Sequence, residues 1–176
     1  IEFILETIKI LRQKDPTLHL VLTGMSEKEN QAIKSKVMAK GASQFVELAG
    51  FISRNKLLTA YKKAEALLIP LFGDAQSQSR FPTKLAEYLL SGQPVVTTAT
   101  GEIPELLFNR QTAFLAPPDS AQEFANSILA LLNNPVAAKR IGAAGRQVAI
   151  ENLDYRIHGQ RLADWLSNLK SINVKL

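Results

Sequence analysis

An α/β fold built on a parallel, doubly wound sheet with helices on both faces is what this sequence predicts, and three observations predict it. Short apolar runs of strand composition alternate with amphipathic helical patterns in units of roughly 25 residues, as consecutive βα units do. Runs such as LHLVLTG and ALLIPL are almost continuously apolar, as strands covered on both faces are. No internal repeat or low-complexity linker divides the 176 residues, so they read as one domain, 1–176.

The elements follow in order. Ile1, Ile4, Leu5, Ile8 and Leu11 share one helical face, and Asp15-Pro16 stops that helix after residue 14. Leu18 to Gly24 is a strand ended by glycine. Residues 27–40 form a second helix, rich in Lys and Glu, and Phe45 to Gly50 a second strand. Ser53 caps a helix through Ala64, and Ala66 to Leu71 follows as a buried strand. The polar stretch GDAQSQSR reads as a solvated loop leading to Pro82, at the first turn of a helix through Leu90 that Gly92 ends. PVVTTAT and TAFLAP are strands, and 120–133, 135–151 and 154–170 are helices. The chain opens on a helix with no strand before it. The expectation is that the first strand of the sheet, whose carboxyl end borders the ligand crevice in such folds, lies outside this sequence.

Composition removes several function classes. With 0 Cys there is no disulfide framework, thiol nucleophile or Cys-ligated metal. The 2 histidines, His19 and His158, stand far apart, against a His-based triad or metal site; both read as structural. No apolar run approaches the ~20 residues that span a bilayer, and the first residues lack a basic signal-peptide head, so the chain reads as cytoplasmic. The net charge of +5 favours anionic partners. Its basic residues are scattered among acids without interleaved aromatics, which argues against nucleic acid.

Residue types place a candidate anion site in the middle of the chain. Phe81-Pro82-Thr83-Lys84 opens a helix whose first N–H groups lack intrahelical partners, and the dipole adds about half a positive charge there. The Thr83 hydroxyl, Lys84 ammonium and Arg80 guanidinium are donors suited to a pyrophosphate; a merely capped helix is the alternative. Gly24 follows a strand end, either to let a ligand approach the backbone or to make the turn. Tyr61, Leu57 and Leu58 fall at helical spacing and read as core.

From Phe81 on, FPTKLAEYLLSGQPVVTTATGEIPELL resembles the signature of family-four glycosyltransferases, in the C-terminal, nucleotide-sugar-binding, Rossmann-like domain of the GT-B fold. The blocks HLVLTG, FVELAGFIS, LLTAYKKAEALLIPL and TAFLAPPDSAQEFANSILALLNNP extend the likeness over nearly the whole chain. The resemblance implies retaining transfer of a sugar from a nucleoside-diphosphate sugar to an acceptor held by a separate N-terminal domain. No resident cofactor or metal is implied; the nucleotide sugar is the substrate.

The family's E-x7-E pattern places its second Glu at Glu87, where relatives bind the donor ribose; two carboxylate oxygens suit a vicinal diol. Simple pairing of Glu87 with Lys84 one turn back is the alternative. Ser79 stands where the first Glu, tied to the transferred sugar, is expected, and Arg80 where many relatives have Gly. By resemblance Phe51 and Ile52 meet the nucleobase; core packing is the other reading. Glu102 is placed beside the cleft, and Glu105 suits the first turn of a short helix. The last helix, 154–170, is expected to present Tyr155, Leu162, Trp165, Leu166 and Leu169 to the N-terminal domain or to cover its own core.

No catalytic residue is assignable, and the family's diphosphate-gripping basic pair belongs to the strand outside the sequence. The family's glycans are often lipid-linked or on bacterial cell surfaces, which adds a peripheral contact with the inner membrane face as an expectation for the parent protein. Two competing readings remain: a non-catalytic nucleotide-binding or interaction module of the same fold, favoured by Ser79, and a nucleotide-sugar epimerase of related fold.

Overall fold

Backbone hydrogen bonds in the computed structural model, which describes residues 1–173 and their side chains through Leu169, arrange the strands in two parallel groups. β1 (Leu20–Thr23) pairs with β2 (Val46–Gly50), with Leu20 opposite Val46. β4 (Val95–Thr98) lies between β3 (Leu67–Ile69) and β5 (Phe114–Ala116), with Leu67 opposite Val95 and Val96 opposite Phe114. The parallel α/β fold read from the sequence is present. Its strands fall into two groups, with no described strand pairing between β1 and β3.

A shared core nevertheless joins the two groups. α1 (Glu2–Arg12) buries Leu5, Ile8 and Leu11, the stripe expected from their spacing, against α7 (Ala121–Leu132). Thr7 on the same face is buried too, and its hydroxyl is satisfied by donating to the Phe3 carbonyl at 2.8 Å. The Phe3 ring meets Phe72, just beyond β3, edge-on at 5.4 Å, and Phe124 of α7 at 5.5 Å. Phe3 of α1 thus touches both the segment after β3 and α7.

Two apolar layers sandwich the strands. One contains α1, α7 and Val37 of α2 (Glu27–Ala39), which starts at a Ser26–Glu29 capping box. The other contains Tyr61 of α3 (Arg54–Lys63), Leu85 and Leu89 of α5 (Lys84–Leu90), Ile103 of α6 (Ile103–Leu106) and Ala149 of α8 (Pro135–Asn152). All four β4 residues are buried, including two threonines. Thr97 donates to the Ile69 carbonyl at 2.8 Å. Thr98 donates to the Leu71 carbonyl at 2.7 Å and accepts from the Leu71 N–H at 2.9 Å. Those bonds extend the β3–β4 pairing past the end of β3 and fix where its loop departs.

Four local expectations are corrected. The stretch 73–80 is not simply a loop: it contains the short helix α4 (Ala75–Ser79), capped by Asp74, whose carboxylate accepts from the Ser77 N–H at 2.8 Å. α5 begins at Lys84, after a turn in which the Leu85 N–H donates to the Pro82 carbonyl at 2.9 Å. Leu58 is exposed, because on α3 the inward side is held by Tyr61 and Leu57. His19 precedes β1 and is exposed, with Nδ1 2.6 Å from the Thr17 carbonyl oxygen. α9 (Tyr155–Asn173) stands away from the rest: every described side chain from His158 to Leu169 is exposed.

Candidate functional site

Segments that follow the strands supply the candidate residues. Gly24, directly after β1, has φ +83° and donates its N–H to the Gly50 carbonyl at 2.8 Å. The left-handed turn accounts for this glycine, and an added Cβ would touch nothing within 4 Å. The bond brings Gly24 beside the segment Phe51–Ile52. Phe51 is 76% exposed, so core packing does not explain it; Ile52 is half-buried. Ser53 then caps α3, accepting from the Lys56 N–H. The base-side candidates therefore lie at the start of the helix that carries Tyr61.

The loop after β3 is organised by side chains that sequence reasoning did not single out. Asp119, with φ +62°, accepts from the Gly73 N–H at 3.0 Å and ties the loop after β5 to the loop after β3. The Ser79 hydroxyl donates back to the Ala75 carbonyl at 2.8 Å within α4. Arg80 is exposed and forms no ion pair among the described residues. Phe81 is half-buried and packs on the core that contains α5. Thr83 is exposed at the N-cap of α5, but its hydroxyl makes no capping bond. Glu105 lies in the first turn of α6, as its position suggests, and Glu102 is exposed at that helix's N-cap.

Lys84, Glu87 and Tyr61 come together. The Lys84 ammonium reaches both Glu87 oxygens, at 3.0 Å from Oε1 and 3.1 Å from Oε2. Both side chains are about half exposed, at 57% and 50%, so the pair adds at most about 1 kcal/mol to stability. A second donor comes from another helix: the buried Tyr61 hydroxyl donates to Glu87 Oε2 at 3.3 Å. Tyr61 packs edge-on against Tyr88, with ring centroids 5.1 Å apart. Burial first, then Tyr88 and Glu87, push the Tyr61 phenol far above its usual value; burial and then Glu87 move Tyr88 the same way. Tyr61 is thus a neutral donor throughout the ordinary pH range. The sequence marked it as core, which it is; only its spatial neighbour discloses the hydroxyl's role.

A carboxylate held this way keeps lone pairs for further donors, since an ionised carboxyl group accepts about four bonds and two donor groups make three here. A concavity of about 570 Å³ lies elsewhere, between α2 and β2, and contains none of the residues above. Among the described residues no helix is long and apolar enough to cross a membrane.

Comparison with known proteins gives this geometry a context. The family model described as "Glycosyl transferases group 1" matches residues 1–134. The amylovoran biosynthesis glycosyltransferase AmsK of Erwinia amylovora is 25% identical over 166 residues, 94% of this chain and 40% of its own. Sucrose-phosphate synthase from Thermosynechococcus elongatus superposes with a TM-score of 0.79 at 22% identity, over 96% of this chain and 42% of its own. HepE of Anabaena, solved in complex with UDP-glucose, superposes with a TM-score of 0.76 at 22% identity, over 93% of this chain and 44% of its own. At such identity the structures establish the fold alone, and this chain spans less than half the length of each of these proteins.

Proposed function

The chain belongs to the glycosyl transferases group 1 family, and from that premise we propose that residues 1–176 are the nucleotide-sugar-binding, C-terminal domain of a two-domain GT-B enzyme. In this reading the parent protein performs a retaining transfer from a nucleoside-diphosphate sugar to a glycan or lipid-linked acceptor. An N-terminal domain holds that acceptor, and the work takes place on the cytoplasmic side, with a peripheral contact at the inner membrane face.

The observation that carries the reading is the Glu87 carboxylate: half exposed on α5, held by Lys84 and Tyr61, and with acceptor capacity to spare. It takes the vicinal hydroxyls of the donor ribose. Lys84, Arg80 and the Thr83 hydroxyl supply positive charge and donors for the pyrophosphate, next to Ser79 and Phe81, and they stabilise the nucleoside diphosphate as it departs. Gly24, Phe51 and Ile52 meet the base. The donor is a substrate, and the reading calls on no resident cofactor or metal.

The interruption between β1 and β3 supports one more parallel strand from the parent polypeptide at that place, since a doubly wound sheet sets its first strand between the second and the fourth. The exposed apolar face of α9 supports contact with the N-terminal domain.

Calorimetric titration with uridine, guanosine and adenosine diphosphates tests this on residues 1–176 and on a version extended upstream through that strand. Heat with at least one nucleotide is expected, with affinity reduced but not abolished in Glu87→Ala. A turnover assay on residues 1–176 alone is expected to give no transfer, and transfer to any acceptor would refute the two-domain division.

A second reading has one observation in its favour. The Ser79 hydroxyl is engaged inside α4, where the family pattern has a carboxylate for the transferred sugar, as in a module that binds without chemistry. No heat with any nucleotide on the extended polypeptide would favour its form as an interaction module, and heat without turnover in the complete parent its form as a nucleotide-binding one.

A further inference from the structure

Glu87 has two neighbours with different mechanical consequences. Lys84 lies one turn away on the same helix and is more than half exposed, so it moves with α5 and fixes nothing relative to the rest of the molecule. Tyr61 lies on α3, which begins immediately after Phe51 and Ile52 and belongs by connectivity to the β1–β2 group. Its ring is 5% exposed and pinned edge-on by Tyr88. The hydroxyl-to-carboxylate bond is therefore a direct polar link between the helix that starts at the base-side segment and the helix that carries the diol-binding carboxylate.

We propose that Tyr61 is a positioning residue for ribonucleotide recognition: its hydroxyl, donating to Glu87 Oε2, holds the carboxylate in the rotamer that takes a ribose diol and sets the spacing between α3 and α5. The proposal rests on the reading of Glu87 as the ribose ligand. A carboxylate with only a flexible ammonium partner samples several rotamers. A second donor fixed to another element narrows that set before the ligand arrives, so less rotamer freedom is lost on binding. At 3.3 Å the bond is long for an O–H donor, so its removal is expected to cost a modest factor.

Tyr61→Phe keeps the ring and its contact with Tyr88 while deleting the donor. The probes are uridine, guanosine or adenosine diphosphate, whichever binds tightest, and the 2′,3′-dideoxy form of the same nucleotide. Tyr61→Phe is expected to weaken binding of the ribonucleotide by about threefold to tenfold and to leave the dideoxy form unchanged. Glu87→Ala is expected to abolish the preference for the ribonucleotide, and adding Tyr61→Phe to it to change nothing further. A purely packing role for Tyr61, which phenylalanine preserves, predicts either no loss or equal losses for both nucleotides, and either result overturns the proposal, whatever the melting temperature does. If Glu87→Ala leaves the preference intact, or the unaltered protein binds none of the nucleotides, the reading of Glu87 fails and the proposal falls with it. The Glu87→Ala arm and the unaltered protein tell that case from a failure of Tyr61 alone.

Discussion

Gly101 lies against the backbone of Gln78, so closely that a Cβ at position 101 would stand 2.7 Å from the Gln78 carbonyl oxygen. The loop after β4 is thereby seated against α4. The segments Thr100–Glu105 and Ser79–Arg80, read separately from the sequence, are neighbours because this one position has no side chain.

Gly101→Ala is therefore expected to destabilise the protein on two counts. The left-handed backbone, φ +57°, costs an alanine about 1–2 kcal/mol, and overlap with main-chain atoms brings the total to about 2–4 kcal/mol. Gly24→Ala supplies the control. Its φ is +83° but an added Cβ meets nothing within 4 Å, so only the strain of about 1–2 kcal/mol applies. Denaturant midpoints compare the two, and equal losses would mean that α4 moves aside.

Thr98 replaces strand pairing at the end of β3 by holding both the N–H and the carbonyl of Leu71. In Thr98→Val those two groups stay buried without a partner, an expected loss of about 2–6 kcal/mol at about 1–3 kcal/mol for each. Thr98→Ser keeps the hydroxyl and is expected to recover most of the loss. Equilibrium unfolding of both variants checks this, and a serine variant as weak as valine would assign the effect to the methyl group.

How far these features were legible depends on the range of the interaction that makes them. Ser53 announces its helix, and Ile1 to Leu11 announce theirs, because capping and amphipathic spacing act within a few residues. The Lys84–Glu87 pair was legible for the same reason. α4 was not: five residues carry no apolar period, and only Asp74 three residues before Ser77 hinted at a cap. Adjacent residues on a helix point about 100° apart, so Leu57 and Leu58 both face inward only where the covered stripe is wide, and spacing alone does not say how wide it is on α3. The Tyr61–Glu87 bond, the Gly73–Asp119 bond and the split between β1 and β3 join elements distant in sequence, where local pattern carries no signal. Ser79 was visible as a departure from the family pattern, but the engagement of its hydroxyl was not.

Alkaline pH should weaken the fold through buried Tyr61 and half-buried Tyr88. Both phenols are raised above their ordinary value, so the folded state favours the neutral form. Their contribution is complete below the unfolded value, about 10, and is lost as pH rises beyond it. Unfolding midpoints are expected to be flat in their dependence on Tyr61 up to about pH 10 and to fall above it. Tyr61→Phe is expected to reduce the slope of that fall; an unchanged slope would mean that the phenol ionises freely in the folded protein.

Lys84 separates stability from binding. Its ion pair is exposed, so Lys84→Met is expected to alter stability by less than about 1 kcal/mol. If the ammonium turns to the pyrophosphate when a donor binds, the same variant loses about tenfold in affinity for a nucleoside diphosphate and little for the bare nucleoside. Calorimetry with both ligands and a thermal melt read all three quantities. A parallel loss for nucleoside and diphosphate would remove Lys84 from the phosphate site.

The chain has 1 tryptophan, Trp165, so its intrinsic indole fluorescence reports on α9 alone. Trp165 is 57% exposed, in a stripe with Tyr155, Leu162 and Leu169, which recur at heptad spacing, and with Leu166. An apolar stripe left in water forgoes about 25 cal/mol for each Å² that a partner surface could cover. Residues 1–176 alone are expected to show the red-shifted emission of a hydrated indole, readily quenched by acrylamide. If an N-terminal domain covers the stripe as proposed, the same residues within the complete parent polypeptide are expected to show blue-shifted, protected emission. Blue emission from residues 1–176 alone would mean that α9 already has a cover. A dilution series then separates the sources: protection lost on dilution identifies a second copy, and protection that persists identifies the helix folding back on its own domain, leaving nothing for an N-terminal domain to bury there.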